Sequence, residues 1–448
     1  MNPVLKIIYR LYRLSSSLWY WAGRRFTPAG GCVLGALVVS GASGLDVENT
    51  VAYQIFALAL ALLIPAFAAS CFFRMRFSAT RQLPRFGTVG RPLIYSIAIK
   101  NLTAGARRGL TLLENPADPR PTFQEWQAAQ RVEGRGARSF RFSQRRRSNP
   151  FKVAALKEAE VPPLPPQGEM EIRMELLPLR RGVLRLAGLT LARPDPLGLF
   201  RSFVQLPAPQ TVLILPQRYP LPPIALPGAL KYQEGGVALA ANVGRSEEFV
   251  ALREYRRGDP LRHIHWRSWA RVGKPIVKEF EDEFFVRHAL VLDTFTGDPH
   301  SELLEEAVSV AASFACTVLT QESLLDLLFV GPQSYCFTAG RGLAQADQML
   351  EILAAVRGCG DKSFQSLEHL VLDHVAVVSG CVLVLLAWDE PRRRLVEKLR
   401  ELGVPVLVLV VAPAGQKKLD AGPLRDEPGA FQVLESGRIE QGLAALKG

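Results

Sequence analysis

Two long apolar runs lie near the start of the chain. Residues 27–47 carry no charge before Asp46, and residues 51–73 carry none at all. Each could cross a hydrocarbon core of about 30 Å as a helix, so the pattern predicts a transmembrane hairpin over 27–73. A cleavable signal is the competing reading. The long basic segment in front and the stronger span close behind argue against it; a buried soluble hairpin is the other alternative. Ahead of the first run, Ile7, Leu11, Leu14 and Leu18 recur at helical spacing, with Lys6, Arg10 and Arg13 on a neighbouring stripe. Trp19, Tyr20 and Trp21 follow. Residues 1–26 therefore read as a cytoplasmic amphipathic segment, with aromatics at headgroup depth and basic groups on anionic lipid.

Beyond the spans the period changes to two. Leu93, Tyr95, Ile97 and Ile99 alternate with Ile94, Ser96, Ala98 and Lys100, and further runs at 170–177, 183–191 and 212–215 are separated by turn residues. Short punctuated strands predict an antiparallel sandwich over 85–216, interrupted by a basic insertion at 116–150 that ends in Arg145-Arg146-Arg147. After residue 288 the strands become continuously apolar (288–293, 324–330, 381–388, 404–411) and alternate with amphipathic runs at 302–319, 344–356 and 391–402. That alternation predicts a doubly wound parallel sheet over 288–448. Ligands bind beyond the carboxyl ends of such strands, where Asp293 and Asp389 fall. Residues 217–287 read as a linker together with the densely charged, aromatic-rich segment at 246–283.

Charge sharpens this partition. The formal net charge is +12. Residues 74–160 hold 18 basic and 6 acidic side chains, whereas 288–448 hold 13 basic and 21 acidic. Lys6, Arg10, Arg13, Arg24 and Arg25 precede the first span, Arg74, Arg76, Arg81, Arg85 and Arg91 follow the second, and the connection holds only Asp46 and Glu48. The positive-inside rule places both flanks in the cytoplasm, giving a multi-pass membrane protein with its soluble bulk inside. The six cysteines form no Cys-x-x-Cys pair and most lie in apolar runs, which argues against a disulfide framework or a structural zinc site and suits a reducing compartment.

Candidate chemistry concentrates at 246–283. Acidic and basic residues interleave there with Phe249, Tyr255, Trp266, Trp269 and Phe280, a density expected of Arg forks on carboxylates and aromatic faces. The spaced residues Glu248-Phe249, Leu252-Arg253-Glu254-Tyr255, Gly258-Asp259, Arg262, Ile264, Trp266 and Ala270-Arg271 resemble the signature of the bacterial family called domain of unknown function 58. Upstream, Arg180-Arg181-Gly182 and Asp195-Pro196-Leu197-Gly198-Leu199-Phe200 are similar to two further motifs of that family, with Leu197 replacing Phe. The resemblance runs from the paired spans to the end of the chain. It implies two membrane helices, a β domain, the signature and a von Willebrand A-like α/β domain. It also implies work beside a MoxR-type AAA+ ATPase, with no established reaction, and a structural or partner-binding role for the signature residues.

A von Willebrand A-like domain often holds a divalent cation through Asp-x-Ser-x-Ser after its first strand. Here the stretch is Asp293-Thr294-Phe295-Thr296-Gly297. Neither Phe295 nor Gly297 offers the oxygen that a hard cation needs, so Mg²⁺ is disfavoured and no cofactor is expected. His263 and His265 lack a third ligand, His369 and His374 match no helix-face spacing, and Gly273-Lys274-Pro275 lacks the upstream glycine of a phosphate loop. The leading expectation is a non-enzymatic, membrane-anchored interaction or scaffold protein acting in maturation of an envelope or membrane complex. A metal-dependent hydrolase at Asp293 and Asp389 is one alternative. A nucleic-acid binder using Arg145–Arg147 is another, disfavoured because that loop lacks the interleaved aromatics on which bases stack.

Overall fold

The computed structural model describes residues 3–43, 50–118, 120–124, 126–127, 152–222, 249–257, 259, 261–280, 287–298, 301–320, 324–340, 343–416, 419–427 and 429–446. They divide into two compact units, 1–217 and 218–448. Most of the basic insertion, including Arg145–Arg147, lies outside the described residues.

The first unit starts with three helices: α1 (Pro3–Arg25), α2 (Pro28–Ser43) and α3 (Thr50–Cys71). Within α3, Val51–Cys71 is long and apolar enough to cross a membrane; α2 is apolar but only 16 residues long. The sandwich follows. One antiparallel sheet runs in the order β1 (Phe77–Gln82), β3 (Leu93–Asn101), β7 (Glu169–Pro178), β5 (Ala154–Leu156). The other runs β2 (Phe86–Thr88), β9 (Arg201–Leu215), β8 (Gly182–Pro194), β4 (Leu110–Pro116), β6 (Ala159–Val161), antiparallel except for β2 beside β9. The domain begins before residue 85, because all six residues of β1 pair with β3. Alternation points Tyr95, Ile97, Ile99, Met174 and Leu176 at Leu112, Leu186, Leu189, Leu191 and Ile214, closing one apolar core.

A charged cluster crosses that core. The Arg81 guanidinium makes two 2.9 Å bonds to the Glu114 carboxylate, which also accepts the Tyr95 hydroxyl at 2.8 Å. Both ionic side chains are essentially sealed from solvent. Each sheet contributes one charge.

Among the described residues the densely charged segment at 246–283 folds as a hairpin. β10 (Phe249–Glu254) pairs antiparallel with β11 (Ile276–Phe280), and between them lies α4 (Trp266–Val272). The α/β sheet then builds from β12 (Arg287–Leu292), α5 (Glu302–Thr320), β13 (Leu324–Val330), β14 (Ser334–Ala339), α6 (Leu343–Ala355), α7 (Gln365–His374), β15 (Gly380–Leu385), α8 (Glu390–Glu401), β16 (Val406–Ala412), β17 (Phe431–Glu435) and α9 (Ile439–Ala444). Its strand order is β14-β13-β12-β15-β16-β17. The expected all-parallel sheet is corrected at one edge: β14 runs antiparallel to β13, because three residues between them permit only a hairpin. Both faces are covered, α7 and α8 packing on one and α5 on the other. Strands buried on both sides need the continuous Val and Leu runs seen in β12, β15 and β16.

Candidate functional site

The carboxyl ends of β12 and β15 bring Asp293 toward the start of α8. Asp389 is the residue preceding α8, with Pro391 in its first turn. Asp293 is fully buried. One of its oxygens accepts the Phe295 backbone N–H at 2.9 Å; the other accepts the Leu386 N–H at 3.0 Å and Arg392 Nε at 2.7 Å. The same guanidinium donates to Asp389 Oδ2 at 2.7 Å and lies 4.8 Å from the centre of the Phe364 ring. Phe364 in turn packs edge-on against Phe295, centroids 5.7 Å apart. The aromatic that replaces a hydroxyl in the expected cation motif therefore buttresses the ring on which the guanidinium rests.

The remaining hydroxyls are also committed. Thr294 donates to the Val330 carbonyl, and Thr296 accepts the Asp298 N–H at 3.1 Å. Among the described residues no group of three His, Cys, Asp or Glu converges. These donors do not fit a hard divalent cation, which requires about six oxygens free to converge. Sequence reasoning placed Asp293 and Asp389 together but missed Arg392, the charge that joins them. The signal was available as a basic residue one turn into the helix that Asp389 precedes.

At the opposite end of the same strands, Arg287 forks onto buried Asp326 at 2.7 and 3.0 Å, and Thr338 donates to Asp326 at 2.6 Å. Burial holds the His288 imidazole below its ordinary pKa.

The signature segment forms its own small structure. Register places Arg253 opposite Val277 and Glu254 opposite Ile276. The turn brings Asp259 back onto Arg253, with fork distances of 2.7 and 2.8 Å, and Asp259 also accepts the Arg256 N–H at 2.7 Å. These bonds hold the Asp259 pKa at about 2, the Arg253 side chain first among the causes. Glu254 meets Lys274 at 3.1 Å in solvent. These described pairs lie within residues 253–274. Arg271 is exposed in the last turn of α4. Tyr255 is held by its backbone N–H to the Pro275 carbonyl at 2.9 Å. Gly273, at φ 74°, terminates α4 in a conformation that glycine adopts without steric cost. His265 Nδ1 lies 2.6 Å from Ser268 Oγ, which accounts for that imidazole locally. Glu248, Gly258 and the side chains of Phe249 and Arg262 lie outside the described residues.

Trp266 stacks on Trp269 with centroids 5.2 Å apart, yet remains 65% exposed. Leu261 and Val272 are exposed on the same short segment. Ile264 and Val277 are buried beneath it.

The family model described as "Protein of unknown function DUF58" matches residues 251–420. The chain is similar to "Uncharacterized protein YeaD" of Bacillus subtilis (strain 168), with 30% identity over 126 residues, which is 28% of this chain and 31% of that protein. The matched region thus spans about a third of that relative's length. Among solved structures, the CARDB domain of PF1109 from Pyrococcus furiosus covers 32% of this chain and 91% of its own at 14% identity and a TM-score of 0.18. A β-glucosidase from Listeria innocua covers 31% of this chain and 16% of its own at 12% identity and a TM-score of 0.17. At such scores neither likeness carries an argument. Most of the signature hairpin and strands β12–β16, with Asp293 and Asp389 at their ends, fall within the matched stretch, and over residues 251–420 this chain is similar to the family of the domain of unknown function 58.

Proposed function

We propose that the chain is a membrane-anchored interaction protein without chemistry of its own, presenting its α/β unit and signature hairpin to a MoxR-type AAA+ ATPase on the cytoplasmic side. The two apolar helices would anchor it, and the α/β unit would serve as a von Willebrand A-like recognition domain. The carrying observation is the exposure of large apolar side chains on the signature segment, Trp266 foremost, with Leu261 and Val272 nearby in sequence. Aromatic anchors of this kind dominate the energetics of protein interfaces, and here the stacked Trp269 holds Trp266 in place. The resemblance to the family supplies the identity of the partner. The internal use of Arg392 argues against a hydrolytic cation at Asp293.

The test uses the full chain in nanodiscs with the MoxR-type ATPase of the same organism. Trp266→Ala should weaken co-elution at least tenfold in affinity, the loss of one hot-spot side chain of about 1.4 kcal/mol or more, while the melting temperature stays unchanged. Unchanged affinity in the variant, or no association of the wild-type chain, would discard the reading.

A further inference from the structure

α1 uses two opposite faces. At 3.6 residues per turn, Tyr9, Arg13, Tyr20 and Arg24 share one side. That side docks on the sandwich unit: the Tyr9 hydroxyl donates to the Pro121 carbonyl at 2.7 Å, and its ring lies 5.4 Å from Phe123. Tyr12 stacks on Trp126 at 6.4 Å, and Arg24 donates to Asn115 Oδ1 at 2.8 Å. At its C-terminal end α1 meets the loop 195–200, where Trp21 and Phe26 pack against Phe200 at 6.0 and 5.0 Å. The helix is fastened at both ends.

The other side is apolar and open. Val4, Ile7, Leu11, Leu14 and Leu18 form one stripe, each more than half exposed, and Trp19 at its border is 80% exposed. Lys6 and Arg10 are exposed on the flank of the stripe. So large an apolar stripe on a helix that is already packed demands a second environment.

We infer that α1 is an in-plane strap: its outward stripe lies in the interfacial layer of a phospholipid bilayer, and the sandwich is seated on its back. This inference rests on the membrane-anchoring reading. Three observations select lipid over another protein. α1 leads within two residues into α2, and then into the 21-residue apolar segment of α3. The loop that receives the end of α1 also receives α3, because Phe67 lies 5.6 Å from Phe200 and Ala66 is buried against it. The stripe is edged by cations and by an exposed indole, the composition of helices that lie in the headgroup layer.

The experiment reconstitutes the full chain in phosphatidylcholine–phosphatidylglycerol vesicles, with or without lipid brominated near the headgroup end of the acyl chain. The Trp19 emission is taken as the difference between the wild type and Trp19→Phe. Flotation reports anchoring independently. Chains that float and lose most of the Trp19 emission in brominated vesicles support the strap, and Leu11→Glu with Leu14→Glu should restore that emission without preventing flotation. Floating chains whose Trp19 emission is unaffected overturn the strap while leaving anchoring intact. So would copies cross-linked through Leu14→Cys, which would place a second chain on the stripe. Chains that do not float overturn both.

Discussion

Arg392 is held between a buried carboxylate, a half-exposed one and an aromatic face, so its removal would strand Asp293 in the sheet core. Asp293 is inaccessible to solvent and the Arg392 side chain is 8% exposed. Breaking one partner of such a buried pair costs about 3–5 kcal/mol, whereas replacing both with apolar groups is often near neutral. Arg392→Ala should therefore lower the melting temperature of the α/β unit, and Asp293→Leu combined with Arg392→Met should recover much of the loss. In the wild type, Mg²⁺ at about a millimolar, within the range of known oxygen-ligand sites, should leave the melting temperature unmoved. A wild-type shift abolished by Asp293→Ala would show the carboxylate to be a cation ligand after all.

The junction of helices and sandwich is an element-scale device made by the loop 195–200. Asp195 accepts the backbone N–H groups of Leu197, Leu199 and Phe200 at 2.9, 2.7 and 2.6 Å, holding the loop in one conformation. The loop then offers Phe200 to α1 and α3, and its Leu199 backbone to α2. Gly30 lies so close that a Cβ there would sit 1.9 Å from the Leu199 carbonyl oxygen. No side-chain rotation relieves an overlap with backbone, so Gly30→Ala should push α2 off the loop. Overpacking of this kind costs about 1–3 kcal/mol. Limited proteolysis of the reconstituted chain should show faster cleavage between α2 and the sandwich, whereas Gly31→Ala, where a Cβ meets nothing, serves as the neutral control.

For the whole molecule the expected consequence is topological. On the proposed two-helix anchoring, the positive-inside rule would put residues before 27 and after 73 on the same side of the membrane. Reporter fusions after Phe73 and at Gly448 should both read cytoplasm. A periplasmic signal at either position would invert the orientation and remove the α/β unit from any cytoplasmic ATPase.

Periodicity alone was enough to separate apolar helices, alternating strands and fully buried strands. It carries which face of an element is apolar, and burial on one side or both follows from that. It also located Asp293 at a strand end, since the polar residue follows an unbroken apolar run. Partners distant in sequence were not legible. Arg392 reaches Asp293 across 99 positions, and Arg81 reaches Glu114 from the opposite sheet. The loop at 195–200 meets helices some 130 to 170 residues earlier, because the topology of the unit returns the chain there. Hydrophobic spacing fixes local faces, but which charges face one another depends on how those faces stack. The sequence by itself therefore determined the elements and their buried sides, while the tertiary structure alone decided that the strand-end aspartates hold a guanidinium.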